Sequence, residues 1–126
     1  MQVEIRKAEL QDLDALKIIE DTCFPEAEAA TLESLSERLQ LFPESFLVAE
    51  VEGVLVGFVN GAVIDEPIIR DAHYHDAALH NPDGAYQSVF GLDVSPAHRR
   101  KGIAEKLLTA LIDAARKAGR KGLTLC

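Results

Sequence analysis

Residues 92–104 read Leu92-Asp93-Val94-Ser95-Pro96-Ala97-His98-Arg99-Arg100-Lys101-Gly102-Ile103-Ala104, and this stretch decides the fold. Upstream of it, residues 86–94 are strand-like, and Ser95-Pro96 ends that run. Downstream, from about Gly102 to Ala118, Ile103, Leu107, Leu108, Leu111, Ile112 and Ala115 recur at helical spacing, and Gly119 closes the run. The order is strand, short basic loop with a glycine, helix. A helix N-terminus presents unpaired N–H groups and a partial positive charge, so phosphate oxygens fit there. Gly102 removes a side chain where a ligand must approach the main chain, and Ala104 adds a single methyl. Arg99, Arg100 and Lys101 reverse the acidic trend of the chain at that point. An ordinary solvated turn fits the same residues, and anion-site logic alone leaves both readings open. Neither Gly-x-x-x-x-Gly-Lys-Ser/Thr nor Gly-x-Gly-x-x-Gly is present, so a P-loop or dinucleotide fold is not supported.

Working outward, residues 2–7 alternate polar and apolar, with Val3 and Ile5 inward, and predict an edge-like strand. From Leu10 the positions Leu13, Leu16, Ile19 and Cys23 follow helical spacing, which should stop before Pro25. A second helix is expected over about 31–41, capped by Thr31, with Leu32, Leu35, Leu39 and Phe42 as its buried stripe. Residues 46–51 and 54–64 are β-rich runs joined at Glu52-Gly53, a hairpin signal. Gly57 and Gly61 in the second run mark a bend, a bulge or a close approach. Residues 65–85 carry Pro67, Pro82, Gly84 and three of the four histidines, and read as a long connection of the functional or mobile kind. Residues 122–126 begin a further strand. The order β-α-α-β-β-β-α-β is that of an α/β chain whose last strand follows a crossover helix.

The formal charge of −8 argues against nucleic acid as a partner, because phosphates demand basic surface. It suits cationic substrates, although acidity also simply keeps a protein soluble. No apolar run approaches the ~20 residues of a membrane span, and no signal layout opens the chain. No membrane partner and a cytoplasmic location are therefore expected, and a homodimer is left open. Cys23 and Cys126 show neither metal-ligand spacing nor a disulfide framework, and Cys23 is expected to be buried and inert.

The quoted stretch resembles the signature of the GCN5-related N-acetyltransferase (GNAT) family, Gln/Arg-x-x-Gly-x-Gly/Ala between the fourth strand and third helix. Arg99, Gly102 and Ala104 fill those places, and the element order matches throughout. Looser likeness to the serotonin (arylalkylamine) acetyltransferase branch and its bacterial relatives comes from Ile19-Glu20-Asp21-Thr22-Cys23-Phe24-Pro25, residues 42–50 and residues 53–58. The resemblance implies a mixed, mostly antiparallel twisted sheet with flanking helices, its fourth and fifth strands splayed to admit acetyl-CoA as cosubstrate. It implies that the backbone of Leu92, Asp93 and Val94 pairs with the pantetheine arm. Amides of Arg100, Lys101, Gly102, Ile103, Ala104 and Glu105, beside Arg99, would cradle the pyrophosphate. It also implies a fourth helix bearing a tyrosine, which is not in this sequence, so residues 1–126 are expected to be one C-terminally incomplete acetyltransferase domain.

The implied reaction is direct attack of a neutral primary amine of a small molecule, arylalkylamine- or polyamine-like, on the thioester. Where animal relatives carry two relay histidines, this chain has Ser88 and Phe90. Ser88 can hold a water in a relay or be an ordinary strand serine. His73 and His75, with His80 nearby, are further proton-transfer candidates by residue type, or simply exposed, and are too sparse for a metal site. Asp93 is a base only if its side chain faces the cleft. Phe24 and Pro25 are candidates for an apolar acceptor wall. A protein N-terminal or lysine acetyltransferase, and a non-catalytic acyl-CoA-binding module, are the competing readings.

Overall fold

A computed structural model describes residues 2–66, 69 and 80–125. Its strands are β1 (Val3–Lys7), β2 (Phe46–Val51), β3 (Val54–Asn60), β4 (Val63–Ile64), β5 (Tyr86–Val89), β6 (Gly91–Val94) and β7 (Gly122–Leu125). The helices are α1 (Leu13–Cys23), α2 (Leu32–Leu41) and α3 (Ile103–Lys117). Four strands form one antiparallel sheet in the order β1-β2-β3-β6, and a second sheet has the order β4-β5-β7. Within the second sheet β4 pairs antiparallel with β5, whereas β5 and β7 run parallel through the α3 crossover.

Strand alternation assigns the two faces of the larger sheet. Leu47, Ala49, Val59 and Val94 pack against Ile103, Leu107 and Leu111 of α3. Phe46, Val48 and Phe58 turn the other way, onto Leu16 and Ile19 of α1 and Leu35 and Leu39 of α2. The helix ends follow their local chemistry. Thr31 Oγ1 accepts the Ser34 N–H at 3.1 Å, capping α2. After α3, Gly119 adopts φ +78°, and the amides of Gly119 and Arg120 return to Arg116 O and Ala115 O, a Schellman closure. The β2–β3 turn places both Glu52 and Gly53 at positive φ, as a type I′ hairpin requires. Between β1 and α1, the Arg6 guanidinium grips both oxygens of Asp12 at 2.8 and 2.9 Å while its Nε donates to Glu50. The hydrogen bonds from Arg6 hold the Asp12 carboxyl below its ordinary range.

Four expectations change. The chain enters α1 through a 3-10 turn, Leu10–Asp12, and Leu10 is exposed. Leu32 is not part of the buried stripe: it is the first residue of α2 and is 41% exposed. The single runs expected over 54–64 and 86–94 are each broken, at Gly61-Ala62 and at Phe90. The physical reason is one crossing point. A Cβ on Gly61 would lie 1.8 Å from Ser88 O, so only glycine lets the strands touch and part there. Gln87 pins the crossing, its Nε2 donating to Gly61 O and Ser88 O, both at 2.9 Å, while its Oε1 accepts from Ser45 Oγ. Finally, Cys23 is half-buried in polar company, described next. No helix among the described residues is long and apolar enough to cross a membrane.

Candidate functional site

Because the sheet divides at Phe90, β6 pairs with β3 on one edge and, among the described residues, has no strand on the other. Ser95 N–H donates to Val56 O at 2.8 Å, continuing the register Gly57↔Val94, Phe58↔Asp93, Val59↔Leu92 and Asn60↔Gly91. The alternation of an antiparallel ladder then directs the amide groups of Leu92 and Val94 to the open edge. At the end of that edge Val94 O accepts from Arg99 Nε at 3.1 Å and from Cys23 Sγ at 3.5 Å. Arg99 Nη2 also reaches Cys23 Sγ, at 3.6 Å. Thus Arg99, although exposed, links α1 to the strand end.

Beyond the Pro96–His98 turn, Arg100 and Gly102 both take left-handed backbone conformations, φ +62° and +78°. Such a curl gathers successive N–H groups on one concave side, the arrangement that binds anions. Gly102 is the N-cap of α3, and no side chain caps the helix. The amides of Ile103, Ala104 and Glu105 are first-turn donors, which lack intrahelical acceptors. Nothing approaches within 4 Å of a Cβ placed on Gly102, so the space above the loop is open.

On the α1–α2 side of the same strand lies a cavity of about 590 Å³. Its walls come from Glu20 and Phe24, the 27–31 loop, one side of α2, and Phe90 and Gly91. Pro25 adjoins Phe24 in chain order but is exposed and not part of the wall. Buried polar side chains gather at the floor. Arg38 Nη1 donates to Asn60 Oδ1 at 3.1 Å and its guanidinium stacks 5.2 Å over the Phe90 ring. Glu20 Oε2 accepts the Ala30 N–H at 2.7 Å and so fixes the loop. Asp93 is 1% exposed, and neither of its oxygens has a hydrogen-bond partner among the described residues. Burial, and then the adjoining Glu20, hold its carboxyl far above the usual range, against the pull of Arg38 and Arg99.

The other sequence candidates are dispersed. Ser88 is fully buried, and its hydroxyl donates to Ala62 O at 2.6 Å. His73 and His75 lie outside the described residues. His80 Nδ1 accepts the Val63 N–H at 2.9 Å, and burial lowers its pKa, so it is a neutral acceptor anchoring β4. Sequence reasoning passed over Glu20, Arg38 and Asn60. A signal existed for the first two: each is a charged residue on the apolar stripe of its helix, beside Leu16 and Ile19 or between Leu35 and Leu39.

Splayed strands, an amide-lined loop and an adjoining acceptor-sized cavity define an acyl-CoA N-acyltransferase fold. A model described as the Acetyltransferase (GNAT) family matches residues 13–126, and the chain belongs to that family. It is 32% identical to the "Probable hydrolase YhcX" of Bacillus subtilis over 96% of this chain and 25% of that protein. It is 26% identical to the "Uncharacterized N-acetyltransferase YkwB" of the same organism, over 86% of this chain and 53% of YkwB. Among solved structures, the GphF GNAT-like decarboxylase in complex with isobutyryl-CoA superposes with a TM-score of 0.82 at 34% identity, over 90% of this chain and 59% of that one. The chain therefore spans between a quarter and three fifths of these relatives.

Proposed function

We propose that this domain transfers an acetyl group from acetyl-CoA to a primary amine of a small molecule. The observation that carries the reading is the placement of the cavity. Phe90 and Gly91 form its wall just where β6 parts from the second sheet, so an amine in the cavity meets a thioester lying on the open strand edge. The pantetheine arm would follow the amides of Leu92 and Val94, with Leu92 N–H facing the thioester carbonyl as an oxyanion donor. The pyrophosphate would rest on the amides of residues 100–105. Among the described residues, Glu20, Glu28, Glu33 and Glu37 line the cavity against one cation, Arg38, which favours a cationic acceptor. Phe24 gives that acceptor an apolar contact, consistent with an arylalkylamine- or polyamine-like body.

Acetyl-CoA offered with monoamines, polyamines and peptides is expected to release free thiol only with small amines, in step with N-acetylated product by mass. Preference for peptides would instead support a protein acceptor. Retained acetyl-CoA binding without turnover would support a binding module. A second reading rests on the likeness to the GphF decarboxylase. In it the domain removes carbon dioxide from a carboxyacyl-CoA and leaves the thioester intact. Carbon dioxide evolution without thiol release would favour that reading.

A further inference from the structure

We propose that Glu20 and Asp93 act as a carboxyl pair in this reaction, Glu20 removing the proton that the acceptor's ammonium must lose and Asp93 positioning Glu20 from behind. The inference rests on the amine-acylating reading above and assigns it an acid–base group. Glu20 stands in the last turn of α1, one turn beyond Leu16, where spacing calls for an apolar residue. It is a carboxylate 7% exposed, it lines the cavity, and its Oε2 is fixed by the Ala30 amide. Asp93 lies on the same face of β6 as Gly91, with Oδ1 3.5 Å from where a Gly91 Cβ would stand. Gly91 itself lines the cavity, so the carboxyl sits directly behind its wall.

Two buried carboxyls side by side are costly unless they share a proton or serve the site. The charged groups facing Asp93 are Glu20 from α1, Arg38 from α2 and Arg99 from the turn before α3. Held up by burial and by Glu20, the Asp93 carboxyl favours its protonated form, whose O–H can turn toward the adjoining Glu20. Glu20 is the member of the pair that lines the cavity.

The step balances as follows. The acceptor enters as an ammonium ion, and one N–H proton passes to the Glu20 carboxylate. The freed nitrogen lone pair forms the C–N bond at the thioester carbon. The C–S bond then breaks, its electron pair leaving on sulfur, and a second nitrogen proton goes to the thiolate to give the thiol. Glu20 finally releases its proton to water. Glu20 would be the catalytic residue, and Asp93 a positioning residue.

Glu20→Gln keeps the shape and an oxygen for the Ala30 amide but cannot take a proton. With the amine and acetyl-CoA that the wild type uses, kcat is expected to fall roughly 10²- to 10⁴-fold. Acetyl-CoA binding should stay unchanged, and the acidic limb of the kcat/KM profile should vanish. Asp93→Leu removes the donor behind Glu20, so the acidic limb should move to higher pH, whereas Asp93→Asn, with an N–H donor, should restore it. If Glu20→Gln misfolds, as loss of acetyl-CoA binding would reveal, the Asp93→Leu limb decides. Wild-type kcat and an unmoved limb in these variants would overturn the pair while leaving the amine reading intact. A wild type silent toward every amine overturns both.

Discussion

Gly61→Ala is expected to cost more than about 3 kcal/mol, a large share of a domain stability of order 5–15 kcal/mol. The added Cβ would stand 1.8 Å from Ser88 O, 2.5 Å from Ser88 C and 3.0 Å from Val89 Cα. All three are main-chain atoms, so no side chain can rotate away. Nor can β5 retreat easily. It is held by β4 and β7, and Ser88 is tied to Ala62 O by both its N–H, at 2.9 Å, and its hydroxyl, at 2.6 Å. Gly53→Ala supplies the control. Gly53 also disfavours a side chain, through φ +79°, but nothing lies within 4 Å of its Cβ position. Its cost should stay near 1–2 kcal/mol, the ordinary penalty of a left-handed residue. Urea unfolding of the two variants measures the difference. Equal midpoints would mean that the strands do not cross as closely as described, and with that the divided sheet would lose its cause.

Gly102→Val carries the second large effect, on binding. At φ +78° a β-branched residue is strained, yet the position is open, so stability should fall only by about 1–2 kcal/mol. The isopropyl group would occupy the space above the first-turn amides of α3, where the pyrophosphate is proposed to rest. Titration calorimetry is expected to show acetyl-CoA affinity weakened at least 100-fold, about 2.7 kcal/mol. Gly119→Val separates strain from obstruction. Gly119 has the same φ of +78° and the same open surroundings, but closes the far end of α3. It should lose similar stability and keep its acetyl-CoA affinity. If both variants bound alike, the loop at residues 100–105 would not be the pyrophosphate site.

What the sequence made legible was local. Ile103, Leu107, Leu111 and Ala115 recur at helical spacing, and all four are buried against the sheet. Thr31 and Glu52-Gly53 announce a cap and a turn through their own backbone chemistry, and both form. The division of the sheet was legible only through the family resemblance, which implies splayed strands; periodicity hid it, because it depends on Gly61 meeting Ser88, a contact between strands remote in sequence. Periodicity reads continuous β-runs on both sides of that contact. The anion loop was legible in residue type, although Arg99 proves to face the Val94 carbonyl and Cys23. The carboxyl floor was hidden for a related reason. Glu20 and Asp93 lie on elements remote in sequence, and only packing of α1 on β6 reveals that two acids adjoin. A charged residue on an apolar stripe was the available clue.

The central claim is that acyl-CoA lies along the open edge of β6 and over the start of α3. Backbone amide chemical shifts of the isotopically labelled protein, followed as acetyl-CoA is added, test it most directly. Leu92, Val94 and the amides of residues 100–105 are expected to shift together with one dissociation constant, while Gly119 and Arg120, past the far end of α3, stay unmoved. Saturable shifts that spare Leu92 and residues 100–105 would contradict the account.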